Sequence, residues 1–185
     1  MSILEKIKRN EAIIGIIGMG YVGLPLALLS SKASFQTLGF DVDGEKVKSL
    51  NSGKSYIKHI KSEDIKKAIE SNFKATSDFG KLSKCDVVLI CVPTPLTDHL
   101  EPDMQYIEKT GIEISKNLRR GQLIVLESTT YPGTTEEFLL PILEKSGLKA
   151  GVDFYLAFSP EREDPGNPKY HTKIIPKVVG GLNEE

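Results

Sequence analysis

Three glycines at the spacing GxGxxG, Gly18, Gly20 and Gly23, close the apolar run "IIGIIGMGYVG". At a strand-to-helix turn such a pattern suits a pyrophosphate. Gly18 permits the tight turn, Gly20 lets the ligand approach the backbone, and Gly23 lets helix and strand pack closely. The free N–H groups and positive dipole end of a helix beginning near Tyr21 then face the phosphates. Alone the spacing is weak, and it gains force here from following a strand pattern and opening a helical one.

Further polar residues stand where later apolar runs stop. "TLGFDVDGEKV" reaches Asp41 at about the 20-residue offset where a carboxylate accepts the ribose hydroxyls of adenosine and repels a 2'-phosphate, which selects NAD over NADP. Lys46 is in reach of the same ribose or the pyrophosphate. In "DVVLICVPTPL", Pro93 and Pro95 stiffen the backbone of Thr94, whose hydroxyl and carbonyl are expected to face the dinucleotide. In "LESTTYPGTT", Ser128, Thr129 and Thr130 offer hydroxyls to the nicotinamide ribose or to a substrate water. "FSPEREDPGNPKYHT" sets Glu161, Arg162, Glu163 and Asp164 in a loop punctuated by proline and glycine, where α/β scaffolds tend to carry site residues. Arg162 suits a phosphate or a carboxylate.

Each position also has a plainer reading, which the residues alone leave open. Asp41 serves equally as a turn residue before Asp43 and Gly44, and Lys46 as a solvated helix-face lysine. The two prolines make a stiff loop, Ser and Thr cap helices, and the charged run is an ordinary solvated surface. His59, His99 and His171 are scattered without metal-ligand spacing, so no metal is expected. Cys85 and Cys91 are too few for a disulfide framework and read as core residues.

The elements that must position these residues alternate. Strand-like runs rich in Ile, Val, Leu and Phe cover 12–17, 36–40, 73–76, 86–92, 123–127, 154–159 and 177–179. Helical periodicity covers 22–31, 44–51, 63–71, 104–118 and 134–145. In the third helix Ile65, Ala68 and Ile69 share one face, with Lys66, Lys67 and Glu70 opposite. Gly147 stands where a C-terminal cap belongs, and Pro141 is expected to kink or shorten the last helix. Strands alternating with helices make βαβ units with right-handed crossovers. The fold class is therefore α/β, a Rossmann-type doubly wound parallel sheet with helices on both faces, and residues 1–185 form one dinucleotide-binding domain.

Composition narrows the function classes. The 185 residues are 39% hydrophobic and 26% charged, with a formal net charge of -1, so the basic excess of a nucleic-acid binder is missing. No apolar run approaches the roughly 18 residues of a membrane span. The N-terminus has no h-region of a secretory signal, and a cytoplasmic location is expected.

Together "GMGYVGLPLA", "GFDVD", "CVPTP", "ESTTYPGTTEE" and "SPEREDPGNPKYHTKIIPKVVGG", in this order, resemble the N-terminal domain of the UDP-glucose/GDP-mannose dehydrogenase family from Ile13 onward. The last motif most resembles the UDP-N-acetylglucosamine 6-dehydrogenases of bacterial surface-polysaccharide pathways. The resemblance implies oxidation of a sugar C6 alcohol to a carboxylate with two NAD, through an aldehyde trapped on a cysteine as a thiohemiacetal and then a thioester. It implies that Tyr21, Val22, Asp41, Lys46, Thr94 and Thr129 contact NAD and that Arg162 and Glu163 lie along the nucleotide-sugar. Glu161, which assists thioester hydrolysis or positions its water, and Thr129 are the implied catalytic candidates. The implied partner is a UDP-sugar, and the implied assembly is a homodimer or higher oligomer.

Two departures qualify the transfer. Pro165 stands where glucose enzymes of the family have a second glutamate, which points toward an acetamido sugar. The family's Gly-Gly-x-Cys segment and catalytic lysine are not in this sequence, and Cys85 and Cys91 match no catalytic position. The central dimer-forming and UDP-binding domains are likewise not in it, so the chain is expected to bind NAD without turnover. A β-hydroxyacid dehydrogenase is disfavoured by the later motifs, and a non-catalytic NAD-binding module is the alternative from another class.

Overall fold

The computed structural model describes residues 1–97, 99–160 and 177–183. Seven strands form one sheet in the order β3-β2-β1-β4-β5-β6-β7, with β1 Ile13–Ile17, β2 Gln36–Phe40, β3 Phe73–Thr76, β4 Val87–Ile90, β5 Leu123–Leu126, β6 Tyr155–Phe158 and β7 Gly180–Gly181. The first six are parallel, and only β7 runs antiparallel, on β6. The expected strand at 177–179 is thus displaced to two glycines at the sheet edge. The helices are α1 Ile3–Lys8, α2 Gly23–Lys32, α3 Gly44–Asn51, α4 Ser62–Ser71, α5 Gln105–Asn117 and α6 Leu140–Leu143.

The sheet divides the core into two layers. On one face α2 and α4 bury Leu24, Ala27, Ile65 and Ala68 over Ile14, Ile16 and Val87. On the other, Ile107 and Ile114 of α5, with Leu139 and Leu143, cover Ile17, Val88, Ile90 and Ile124. Alternate residues of a strand point to opposite faces, so fully covered strands read as continuous apolar runs. Each such Leu, Ile or Val side chain contributes about 1.5–3 kcal/mol through burial.

Two segments depart from the expected helices. The 134–145 segment is not one helix: Thr134–Leu139 forms a π-helical turn, α6 follows, and Glu144–Ser146 is a 3-10 turn. Pro141 lacks an N–H and its ring crowds the carbonyl four residues back. The Leu140 N–H accordingly reaches five residues back, to the Thr135 carbonyl. Gly147 ends the segment with φ 85°, the left-handed cap its type suggested. The helix α1 was not among the expected elements, although its capping box, Ser2 with Glu5, is legible as S-x-x-E.

α1 is tied down at the N-terminal edge of the sheet. Asp86 Oδ1 accepts hydrogen bonds from Lys6 Nζ and Arg119 Nη2, both at 2.7 Å, and Oδ2 accepts from the Ile13 N–H at 3.0 Å. Burial by itself would raise the Asp86 pKa. The bonds from Lys6, Ile13 and Arg119 outweigh it and hold the carboxyl below its ordinary value.

Candidate cofactor-binding site

The sheet order reverses direction between β1 and β4, and the crevice outside the carboxyl ends of those strands is where open α/β sheets receive ligands. A cleft of about 770 Å³ opens there, lined by the glycine turn, Asp41 to Asp43, Lys46, Cys91 to Thr94 and Glu127 to Thr129. A volume of that order suits a cofactor-sized ligand.

The three glycines do three different jobs. Gly18 has φ +94° and an added Cβ would lie 2.6 Å from the Cys91 carbonyl oxygen, so neither the turn nor the space admits a side chain. At Gly23 an added Cβ would fall 1.9 Å from the Gly18 carbonyl oxygen. At Gly20 it would meet no protein atom within 4 Å, and Gly20 faces the cleft. The open space at Gly20 is therefore on the ligand side, as a pyrophosphate requires. Val22 gives α2 no side-chain cap, and among the described residues the N–H groups of Gly20, Tyr21 and Val22 have no protein acceptor. These donors, at the positive end of a ten-residue helix, form an anion cradle.

Asp41 is 7% exposed, at the end of β2. Its Oδ2 accepts from the Met19 N–H and its Oδ1 from the Asp43 N–H, each at 2.9 Å. A carboxylate oxygen has more than one acceptor site, so capacity for a ribose hydroxyl remains. Lys46 Nζ lies 3.7 Å from Asp41 Oδ2. Asp43 caps α3 through the Glu45 and Lys46 N–H groups, which fixes where Lys46 departs.

Thr94 corrects part of the expectation for the Pro93–Pro95 loop. Its hydroxyl donates to the Thr129 carbonyl at 2.7 Å and so ties the loop after β4 to the loop after β5. Ser128 is likewise engaged, buried with its hydroxyl 2.7 Å from the Val92 carbonyl. Of the hydroxyl cluster, Thr129 is exposed and lines the cleft. Glu161, Arg162 and Glu163 lie outside the described residues.

Several contacts were not anticipated. Tyr21, 58% exposed, stacks on His59 with ring centroids 5.9 Å apart. Tyr56 donates to the Met19 carbonyl at 2.5 Å. Glu127, at the floor of the cleft, is paired with Lys177. Phe79 and Tyr106 add aromatic surface to the cleft lining. None of these has a local sequence signal, because each joins segments remote along the chain.

Cys85 is a poor nucleophile. Burial, then the neighbouring Asp86 charge, pushes the Cys85 thiol up to about 12, with Arg119 opposing. Cys91 is buried behind the glycine turn. No group of His, Cys, Asp and Glu among the described residues could hold a metal ion, and no described helix is long and apolar enough to cross a membrane.

Residues 12–185 match the UDP-glucose/GDP-mannose dehydrogenase family, NAD binding domain. A UDP-N-acetyl-D-glucosamine 6-dehydrogenase of Pseudomonas aeruginosa is 38% identical over 173 residues, covering 93% of this chain and 40% of that protein. A UDP-N-acetyl-D-mannosamine dehydrogenase of Pyrococcus horikoshii is 34% identical over 181 residues, covering 93% and 41%. Among solved structures, NDP-N-acetyl-D-galactosaminuronic acid dehydrogenase from Methanosarcina mazei Go1 superposes with a TM-score of 0.85 at 38% identity, over 100% of this chain and 42% of that one. The chain thus spans about 40% of the length of the curated relatives it matches. The glycine turn and Asp41 are the features an NAD site needs, and the chain belongs to the UDP-glucose/GDP-mannose dehydrogenase family as its NAD-binding domain.

Proposed function

We propose that this chain holds NAD for the oxidation of a UDP-N-acetylhexosamine at C6, with UDP-N-acetylglucosamine as the sugar nucleotide. The observation that carries the cofactor half is the cradle of Gly20, Tyr21 and Val22 N–H groups beside the Asp41 carboxylate. The names of the relatives support the substrate half, and UDP-N-acetylmannosamine is the second reading because the Pyrococcus horikoshii relative carries that name. Bound NAD supplies a hydride acceptor. Asp41 takes the adenosine ribose, Lys46 adds positive charge beside it, and Tyr21 and Val22 present N–H groups to the pyrophosphate. Thr94 and Thr129 shape the nicotinamide end, and Thr129 also faces the reacting sugar. Glu161 orders the hydrolytic water, while Arg162 and Glu163 contact the nucleotide-sugar. The covalent stage falls to a cysteine in the remaining length of the protein, since Cys85 is held protonated by burial. The whole protein is a cytoplasmic homodimer or larger assembly in this reading.

The test is NADH formation by the chain together with the sequence that follows it in its reading frame. Two NADH per UDP-N-acetylglucosamine, with slower turnover of UDP-N-acetylmannosamine and UDP-glucose, is the expected result. Turnover by residues 1–185 alone would overturn the assignment of the nucleophile.

A further inference from the structure

Both polar atoms of the Met19 backbone are held, the N–H by Asp41 at the cleft wall and the carbonyl by Tyr56 from outside the cleft. Its N–H donates to Asp41 Oδ2 at 2.9 Å, and its carbonyl accepts from Tyr56 Oη at 2.5 Å. Met19 is fully buried, whereas Gly20, the next residue, lines the cleft. In a planar trans peptide the carbonyl and the following N–H point in opposite directions. A Met19 carbonyl drawn back to Tyr56 therefore turns the Gly20 N–H away from Tyr56 and into the cleft. Gly20 has no side chain to pack and its own carbonyl is held by the Leu24 N–H at 3.1 Å, so the Tyr56 bond to the Met19 carbonyl is the direct hold on the Met19–Gly20 peptide plane.

We infer that Tyr56 is a positioning residue of the dinucleotide site, holding the Met19–Gly20 peptide so that the Gly20 N–H is presented to the pyrophosphate. The inference rests on the NAD reading and adds a residue to it. Tyr56 lies in the connector between α3 and α4, outside the glycine turn and outside the cleft lining. The same connector touches the turn again where His59 stacks on Tyr21, so the turn is braced at two points by one segment. Burial, with the Asp41 and Asp43 charges nearby, raises the Tyr56 pKa, and the hydroxyl stays a donor throughout the neutral range.

The experiment compares the chain with Tyr56→Phe, which keeps the ring and removes the donor. Binding of NAD, ADP and adenosine is measured by calorimetry, and the Gly20 amide is followed in ¹⁵N-labelled protein. Loss of one such bond corresponds to a weakening of about twofold to tenfold. That loss is expected for NAD and ADP, with adenosine affinity unchanged and a smaller NAD-induced shift of the Gly20 amide. NAD and ADP affinities equal to those of the unmodified chain, or adenosine weakened in equal measure, would overturn the inference. Absence of NAD binding by the unmodified chain overturns the NAD reading itself and this inference with it.

Discussion

Asp41 and Met19 are joined by a 2.9 Å hydrogen bond from the Met19 N–H to Oδ2, so the carboxylate placed to read a ribose also shapes the phosphate turn. Specificity and turn geometry share one residue. In Asp41→Asn, an amide nitrogen replaces one acceptor and leaves either the Met19 or the Asp43 N–H facing a donor. An unmet buried donor costs about 1–3 kcal/mol. The expected outcome is a lower melting temperature together with weaker NAD binding and a narrower preference over NADP. Unchanged discrimination between the two cofactors in calorimetry would remove the ribose assignment.

Gly20→Ala and Gly23→Ala separate binding from folding. The first adds a methyl into open space at the cleft, so its melting temperature should stay close to that of the parent. Its NAD affinity should fall by about tenfold or more, because charge-assisted bonds to phosphate contribute about 1.5–3 kcal/mol each. The second forces a methyl against the Gly18 carbonyl oxygen, and it should lose stability as well as binding. Thermal unfolding and titration of both variants check the contrast.

Thr94→Val removes the hydroxyl that holds the Thr129 carbonyl while keeping the side-chain volume. The two loops at the β4 and β5 ends then lose their cross-tie. NAD binding should weaken by about twofold to tenfold with little change in unfolding temperature. A parent-like affinity would show that proline stiffening alone orders the loop.

Asp86 makes acid sensitivity predictable. Its folded-state pKa is depressed, so its contribution is fully present above the unfolded value of about 3.9 and is lost as pH falls through the folded value. Asp86→Asn should cost about 2 kcal/mol at pH 7, since it weakens charge-assisted bonds to Lys6 and Arg119. The gap between the two proteins should begin to close below about pH 4 and vanish once the pH passes below the folded-state value. Denaturant unfolding at several pH values checks it, and a gap that persists in acid would contradict the account.

Cys85 should resist thiol reagents in the native chain at pH 8, because its thiol is buried and pushed up to about 12. Mass mapping after brief labelling should find Cys85 modified only when denaturant is present. Fast labelling without denaturant would require an opening of the β4 layer.

Much of the fold was legible because its causes are local. The strands at Gln36–Phe40 and Phe73–Thr76 and the helix Gly44–Asn51 fall where apolar content and periodicity placed them. In α4, Ile65 and Ala68 are buried and Ile69 is partly buried beside them, as the 3.6-residue period requires. The β7 strand was misplaced because two exposed glycines have neither apolar content nor periodicity, and only pairing with β6 makes them a strand.

By itself, then, the sequence determined the α/β alternation, the glycine turn, the carboxylate at Asp41 and the resemblance that joined them. These follow from backbone sterics and periodicity within a few residues. Tertiary structure decided which polar groups meet: the Tyr56 hydroxyl with the Met19 carbonyl across 37 positions, the Thr94 hydroxyl with the Thr129 carbonyl across 35, and Lys177 with Glu127 across 50. It also turned Thr94 and Ser128 from free ligand donors into ties between strand ends. The physical reason is the sheet order, which sets β1 between β2 and β4 and brings chain-distant loops to one edge. No local propensity records which polar atoms then fall within hydrogen-bonding distance.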